Sequence, residues 1–340
     1  MIKRTIAVLA AGLSIAGAGI TAASAATLDQ VKQRGVLHCG SNPGLAGFAV
    51  ADDKGQWTGF DVAFCRAIAA AIFDDPNKVK FSPLTAKDRF TAVQSGEVDV
   101  LIRNTTWTMS RDTTLGLNLG PVNYYDGQGF IVRKSLGLKS AKELEGASVC
   151  VQQGTTTELN LADFFRVSNI KYEPVTYASA VEAVKAYDSG RCDAFTTDAS
   201  ALYAERLRLT APDDHIVLPD IISKEPFAPV VRHGDDQWFD LVRWTTYALI
   251  NAEELGVTKA NVDEQLKSEN PEVRRLLGVE GNFGEGVGLT QDWVVRIIRH
   301  VGNYGEIFAA NLGTNTPLAI DRGLNNLWNN GGILYAPPIR

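Results

Sequence analysis

The chain has 340 residues, of which 45% are hydrophobic, 21% charged and 9% aromatic, and its formal net charge is -6. This is globular composition, which excludes a disordered, collagen-like or disulfide-scaffold chain. An acidic surface argues against unspecific binding to nucleic acid or anionic membranes, and the length suits about two domains with full cores.

Residues 1–25 read as a cleavable secretory signal. Lys3 and Arg4 form a basic start, Ile6 to Ile20 is apolar and small, and Ala23-Ser24-Ala25 is an A-x-A cleavage site. The apolar stretch is about 15 residues, short for a span that needs roughly 20. No cysteine sits at the cleavage point, so a lipid anchor is not expected. The product is expected to be exported, and not inserted in a membrane.

The spacing then predicts a short helix over 28–34, a strand over 36–39 and a helix over 61–73, with Val62, Phe64, Cys65, Ile68, Ala69 and Ile72 on one face. A strand over 78–83, a helix over 88–95 and a buried strand over 98–102 follow, then a polar loop over 103–111 and a strand over 129–133. The pattern begins again: strand 148–151, a threonine-rich loop, helix 157–165, strand 171–176, helix 179–189, strand 193–196. Alternation of this kind predicts an α/β fold of mostly parallel sheets, in two consecutive units. The last third is helix-rich, with helices over 235–254, 271–276, 292–312 and 323–328 and a glycine loop over 281–288. Trp238, Trp244, Trp293 and Trp328 are expected in the core.

Four cysteines allow three pairings. Export permits disulfides, and one staple per unit gives Cys39–Cys65 and Cys150–Cys192; four buried thiols are the alternative. No CxxC occurs, and the histidines His38, His215, His233 and His300 share no ligand spacing, so no metal or other cofactor is expected. No GxSxG, P-loop or HExxH is present.

Several segments carry a pattern in their order. They are residues 28–35 before the first strand, Gly59-Phe60-Asp61-Val62 opening a helix, and Gly96-Glu97-Val98-Asp99-Val100 leading to residues 104–111. Then come Gln152-Gln153-Gly154-Thr155-Thr156-Thr157-Glu158 and Gly190-Arg191-Cys192-Asp193-Ala194-Phe195-Thr196-Thr197-Asp198. This order resembles the polar amino-acid-binding proteins of ABC importers, solute-binding protein family 3, over about residues 27–255. The tail, with Gly302-Asn303-Tyr304-Gly305-Glu306 and Gly323-Leu324-Asn325-Asn326-Leu327-Trp328, is similar to the general L-amino-acid-binding subgroup. The resemblance implies a type II-like periplasmic-binding-protein fold of two α/β lobes, closing on ligand by a hinge. Lobe 1 would comprise 26–125 and 226–340, with a helical C-terminal extension, and lobe 2 would comprise 126–225. It also implies a periplasmic monomer that hands an L-amino acid to an inner-membrane permease.

A free amino acid carries two charges, each costly to bury without a partner. By resemblance, Arg111 grips the α-carboxylate with two parallel bonds and Asp198, from the other lobe, pairs with the α-ammonium. Thr106 and Asn104 serve either ligand group, Asn104 mainly through its backbone carbonyl. Thr156 and Thr157 open a helix whose free N–H groups suit a carboxylate. Ser41, Asn42, Leu45, Arg103 and Gln152 line the side-chain region; Arg103 either meets an acidic ligand side chain or points to solvent. Trp107 is the aromatic best placed to stack on ligand. These readings favour glutamate, glutamine, aspartate and asparagine. An exported enzyme on the same scaffold, such as a dehydratase, or a chemoreceptor's ligand sensor, are the other readings.

Overall fold

The computed structural model describes residues 26–340; the expected signal segment lies outside them. Its first strand, Leu37–Ser41, is buried along nearly its whole length because it pairs on both sides. Val79–Pro83 runs parallel to it with Cys39 opposite Phe81, and Val100–Leu101 runs parallel on the other side with Cys39 opposite Val100. Such strands need apolar faces on both sides. Helix Phe60–Phe73 covers one face, with Phe64, Cys65, Ile68 and Ala69 buried. Gly59 opens this helix at φ 135°, and a Cβ there would lie 2.1 Å from the Phe48 carbonyl oxygen, so only glycine fits.

Two five-stranded sheets repeat one plan. The first runs Val79–Pro83, Leu37–Ser41, Val100–Leu101, Val230–Arg232, Leu117–Leu119; the second runs Glu173–Tyr177, Ser148–Gln152, Ala194–Asp198, Gln128–Arg133, His215–Val217. Both sheets are mostly parallel, as expected, with one strand reversed in each, Val230–Arg232 in the first and Gln128–Arg133 in the second. In each, three parallel strands are followed by antiparallel pairings. The cause is the chain path. Strand Tyr124–Asp126 leaves the first sheet and feeds Gln128–Arg133, and strand Glu225–Phe227 returns and feeds Val230–Arg232. These two strands pair antiparallel, Asp126 opposite Glu225 and Tyr124 opposite Phe227. They form a two-strand ribbon between two lobes.

Each lobe has its own core, and each has one disulfide, Cys39–Cys65 and Cys150–Cys192. The long helix Asp236–Glu254 and the chain after it join the core of the first lobe. The expected single helix over 292–312 is two, Trp293–Val301 and Tyr304–Asn311. Gly302 at φ 83° breaks it, and Asn303 starts the second helix with a capping box closed by Glu306. The expected 323–328 helix is two short 3-10 turns, and Trp328 is half exposed, donating its Nε1–H to Glu254.

The ribbon is tied to this extension. Asn325 accepts from the Tyr125 N–H at 2.7 Å and donates to the Tyr125 carbonyl at 3.0 Å. Tyr304 donates its hydroxyl to the Asn123 carbonyl at 2.9 Å. Tyr124 stacks between Phe227 and Phe308. No helix among the described residues is long and apolar enough to cross a membrane.

Candidate functional site

A cavity of about 890 Å³, counted out to its open mouth, lies between the lobes. Asn42, Leu45, Arg89, Arg103, Asn104 and Thr106 line it from the first lobe. Gln152, Thr156, Thr157, Asp198 and Arg208 line it from the second. Three of the sequence-predicted residues stand elsewhere. Ser41 is fully buried and donates to the Ile102 carbonyl at 3.1 Å. Trp107 is 37% exposed and its ring packs on Gly120, where a Cβ would meet it at 2.8 Å. Arg111 is not in a loop but in helix Met109–Thr114, capped by Thr108. Its guanidinium sits behind the wall, donating to the Thr106 carbonyl at 2.8 Å and lying over the Phe90 ring.

The local sequence explains how the wall is aimed. Asn104 follows the buried strand Val100–Leu101 and takes φ 31°, a left-handed turn that asparagine tolerates. Its N–H donates to Asp61 at 3.1 Å, and its side chain accepts from Asn42 at 3.0 Å and donates to Asp198 at 3.1 Å. The Asn104 side chain thus bridges the lobes, from Asn42 to Asp198. Thr155 caps helix Thr156–Ser168 by accepting from the Glu158 N–H, which places Thr156 and Thr157 at its first turn. Thr157 bonds the Thr155 hydroxyl at 2.7 Å. Gln152 ends its strand and donates to the Ala178 carbonyl at 3.3 Å. Arg208 crosses the mouth to the Gly44 carbonyl at 2.7 Å.

The buried charges fall into two sets. Arg103 is buried, not solvent-facing, and donates its Nε–H to the Leu84 carbonyl at 2.8 Å. Burial pulls it down to about 10, with Asp61 and Asp198 opposing. Arg89 is buried too, donating to the Thr105 hydroxyl at 3.3 Å, while its Nε has no hydrogen-bond partner among the described residues. Burial, then Arg103 and Arg111, pulls it well below the arginine range. Burial also lowers Arg111.

The anionic set is Asp61, Asp126, Asp198 and Glu225. Burial pushes Asp61 up to about 7 against the pull of the Asn104 N–H and Arg103. Burial raises Asp126 to about 6, although Ser200 and the Gly127 N–H bond it. Asp198 stands well above the carboxylate range through burial, then Asp126 and Glu225. Glu225 is fully buried on the returning ribbon strand, just behind the cavity. It accepts from Thr106 Oγ1 at 2.5 Å, Thr156 Oγ1 at 2.8 Å, Asn160 Nδ2 at 2.6 Å and Ser223 Oγ at 2.7 Å. Among the described residues none of these arginines and carboxylates forms an ion pair. Unpaired buried charge of both signs is costly, and a ligand that carries both signs relieves it.

Sequence reasoning missed Arg89 and Glu225. Arg89 sits in an ordinary charged helix start, and Glu225 reaches Thr106 across 119 positions of chain. No group of three or more histidine, cysteine or acidic side chains among the described residues could hold a metal ion.

Comparison with known proteins agrees with the architecture. The family model of bacterial extracellular solute-binding proteins, family 3, matches residues 37–261. The general L-amino acid-binding periplasmic protein AapJ of Rhizobium johnstonii is 59% identical, covering 99% of this chain and 100% of that protein. The glutamate/glutamine/aspartate/asparagine-binding protein BztA of Rhodobacter capsulatus is 59% identical, covering 94% of this chain and 95% of that protein. A solved periplasmic binding protein of an ABC transporter from Brucella ovis, with glutathione bound, superposes at a TM-score of 0.92 with 61% identity, over 93% of this chain and 100% of that one. Two lobes on a two-strand ribbon, the match over most of the first 261 residues and relatives alike from end to end make this chain a member of the bacterial extracellular solute-binding proteins, family 3.

Proposed function

We propose that the protein is the periplasmic substrate-binding component of an ABC importer for L-amino acids, with glutamate, glutamine, aspartate and asparagine favoured. The observation that carries this is the cavity itself: Arg89 and Arg103, buried and without an ion-pair partner among the described residues, line it from one lobe, and Asp198, buried and likewise without one, lines it from the other. A zwitterion bridges the two. In this reading Asp198 pairs with the α-ammonium, the arginine group with carboxylate, and Arg103 with an acidic or amide side chain. Arg111 acts from behind the wall by holding Thr106, and reaches ligand only if the helix bearing it shifts on loading. Thr106, Asn104, Thr156, Thr157 and Gln152 complete the polar wall; Ser41 and Trp107 support it from outside.

The lobes would be 26–125 with 226–340, and 126–225. Because Asp198 and Arg103 come from opposite lobes, a zwitterion favours the closed arrangement, which is what shifts a hinge population. The protein acts as a monomer, without cofactor, and delivers its cargo to an inner-membrane permease. In this reading it binds and does not transform, as its relatives are named for binding.

Calorimetry against the twenty amino acids, with glutathione added because the Brucella neighbour holds it, tests this. Binding is expected for the four polar acids and amides. Binding of a single hydrophobic amino acid alone would refute the reading, and ligand recovered as a new product would make the protein an enzyme.

A further inference from the structure

The Glu225 carboxylate accepts a hydroxyl hydrogen bond from each lobe. Its Oε2 accepts from Thr106 Oγ1 and from Thr156 Oγ1, and both threonines line the cavity. Its Oε1 accepts from Asn160 Nδ2 and Ser223 Oγ. Four donors fill the four acceptor directions of a carboxylate, so the group is fixed in orientation. It is fully buried and does not itself line the cavity.

A hydroxyl has one proton to give. Once Thr106 and Thr156 have given theirs to Glu225, they face the cavity only with lone pairs. Lone pairs repel a ligand carboxylate and receive a ligand N–H. From this geometry we infer that Glu225 is a positioning residue: it sets both threonine hydroxyls as acceptors for the ligand's ammonium, on the side where Asp198 stands. This rests on the zwitterion reading above and deepens it, because it gives the Thr106 hydroxyl one polarity where the sequence left two, and gives Thr156 an acceptor role through its hydroxyl beside the carboxylate role of its helix N–H groups. Thr106 and Thr156 lie 3.4 Å apart, and with both protons on Glu225 neither can donate to the other, so both lone-pair faces stay available to a ligand donor.

A glutamine at position 225 keeps the size and reverses part of the pattern. Both threonine hydroxyls can turn from donor to acceptor, so an amide NH₂ on that side would turn their protons into the cavity. It also removes the negative charge. The test compares L-glutamate with glutarate, which has the same two carboxylates and no ammonium, by calorimetry on the wild type and on Glu225→Gln. Glutamate affinity is expected to fall at least tenfold and glutarate affinity less than threefold. Equal losses for the two ligands, or no loss for glutamate, would overturn the assignment. Where glutarate is too weak to titrate, a cycle with Thr156→Val is read instead. The glutamine change should cost less in the valine background, and additive losses overturn the proposal.

Should Glu225→Gln fail to fold, the double variant Asn160→Ala with Ser223→Ala frees Oε1 and should show the same ammonium-selective loss in smaller measure; a loss shared by both ligands again overturns the assignment. A wild type that holds glutarate as tightly as glutamate, or binds no amino acid, removes the zwitterion reading, and this inference falls with it. A wild type selective for glutamate with an unselective Glu225→Gln removes the inference alone.

Discussion

Asp198 is the residue on which recognition turns. It is buried and its side chain accepts from neutral Asn104, and among the described residues no cation contacts it, so a ligand ammonium would be its first. Removing one member of a buried charge pair costs about 2–4 kcal/mol, so Asp198→Asn is expected to weaken glutamate binding by roughly thirty- to a thousandfold. Calorimetry reads this directly. Burial, Asp126 and Glu225 hold the Asp198 carboxyl well above its usual range, and an ammonium beside it brings it back down. Binding should therefore release protons where the empty site holds one, and affinity should rise as pH rises through that range. Titrations in two buffers of different protonation enthalpy should show release at acidic pH; uptake would contradict the assignment. Asp198 was singled out from the sequence through the resemblance carried by residues 190–198, where a strand ends and a helix starts. Arg89 was not, because its place in the cavity depends on how the following helix lies on the sheet. Arg103 was legible as an alternative only: a sequence gives the residue after a strand but not whether the loop turns it inward, and here the Leu84 carbonyl does so.

Elements were legible where one residue type decides them and blurred where packing does. Helix Phe60–Phe73 follows from apolar spacing and from Gly59. The break at Gly302 was missed because the apolar run continues on both sides, and the Asn303–Glu306 box that restarts the helix is a four-residue signal inside it. The one reversed strand of each mostly parallel sheet was not read from the sequence, since strand direction depends on where the chain crosses. Least visible was the side-chain clamp on the ribbon. Asn325 meets both backbone groups of Tyr125 from 200 positions away, as a third strand would. Asn325→Ala should expose the Tyr125 N–H. Amide exchange at that residue is expected to quicken at least tenfold, while the amides of the second lobe keep their rates; unchanged exchange at Tyr125 would show that the clamp is not holding.

Over the whole molecule, buried acids give stability a pH slope. Asp61 keeps its proton up to about 7 and Asp126 up to about 6, whereas an unfolded chain releases them near 4. Between about pH 4 and pH 7 the native state holds more protons, so stability falls as pH rises through that window. For Asp61 alone the full effect is on the order of 4 kcal/mol. Asp61→Asn, whose amide oxygen can still accept from the Asn104 N–H, should flatten that slope in chemical denaturation series. A slope as steep as the wild type's would place the proton elsewhere.

Both disulfides lie inside a lobe, one linking strand to helix and the other linking positions 42 residues apart in the second. Nothing covalent spans the cleft apart from the ribbon itself, and what draws its rims together is a handful of hydrogen bonds from Asn104, Thr106 and Arg208. A carrier has to let go as well as grasp. Cross-links placed this way harden each jaw against heat and proteases while leaving the bite reversible, so unloading needs only weak contacts to part.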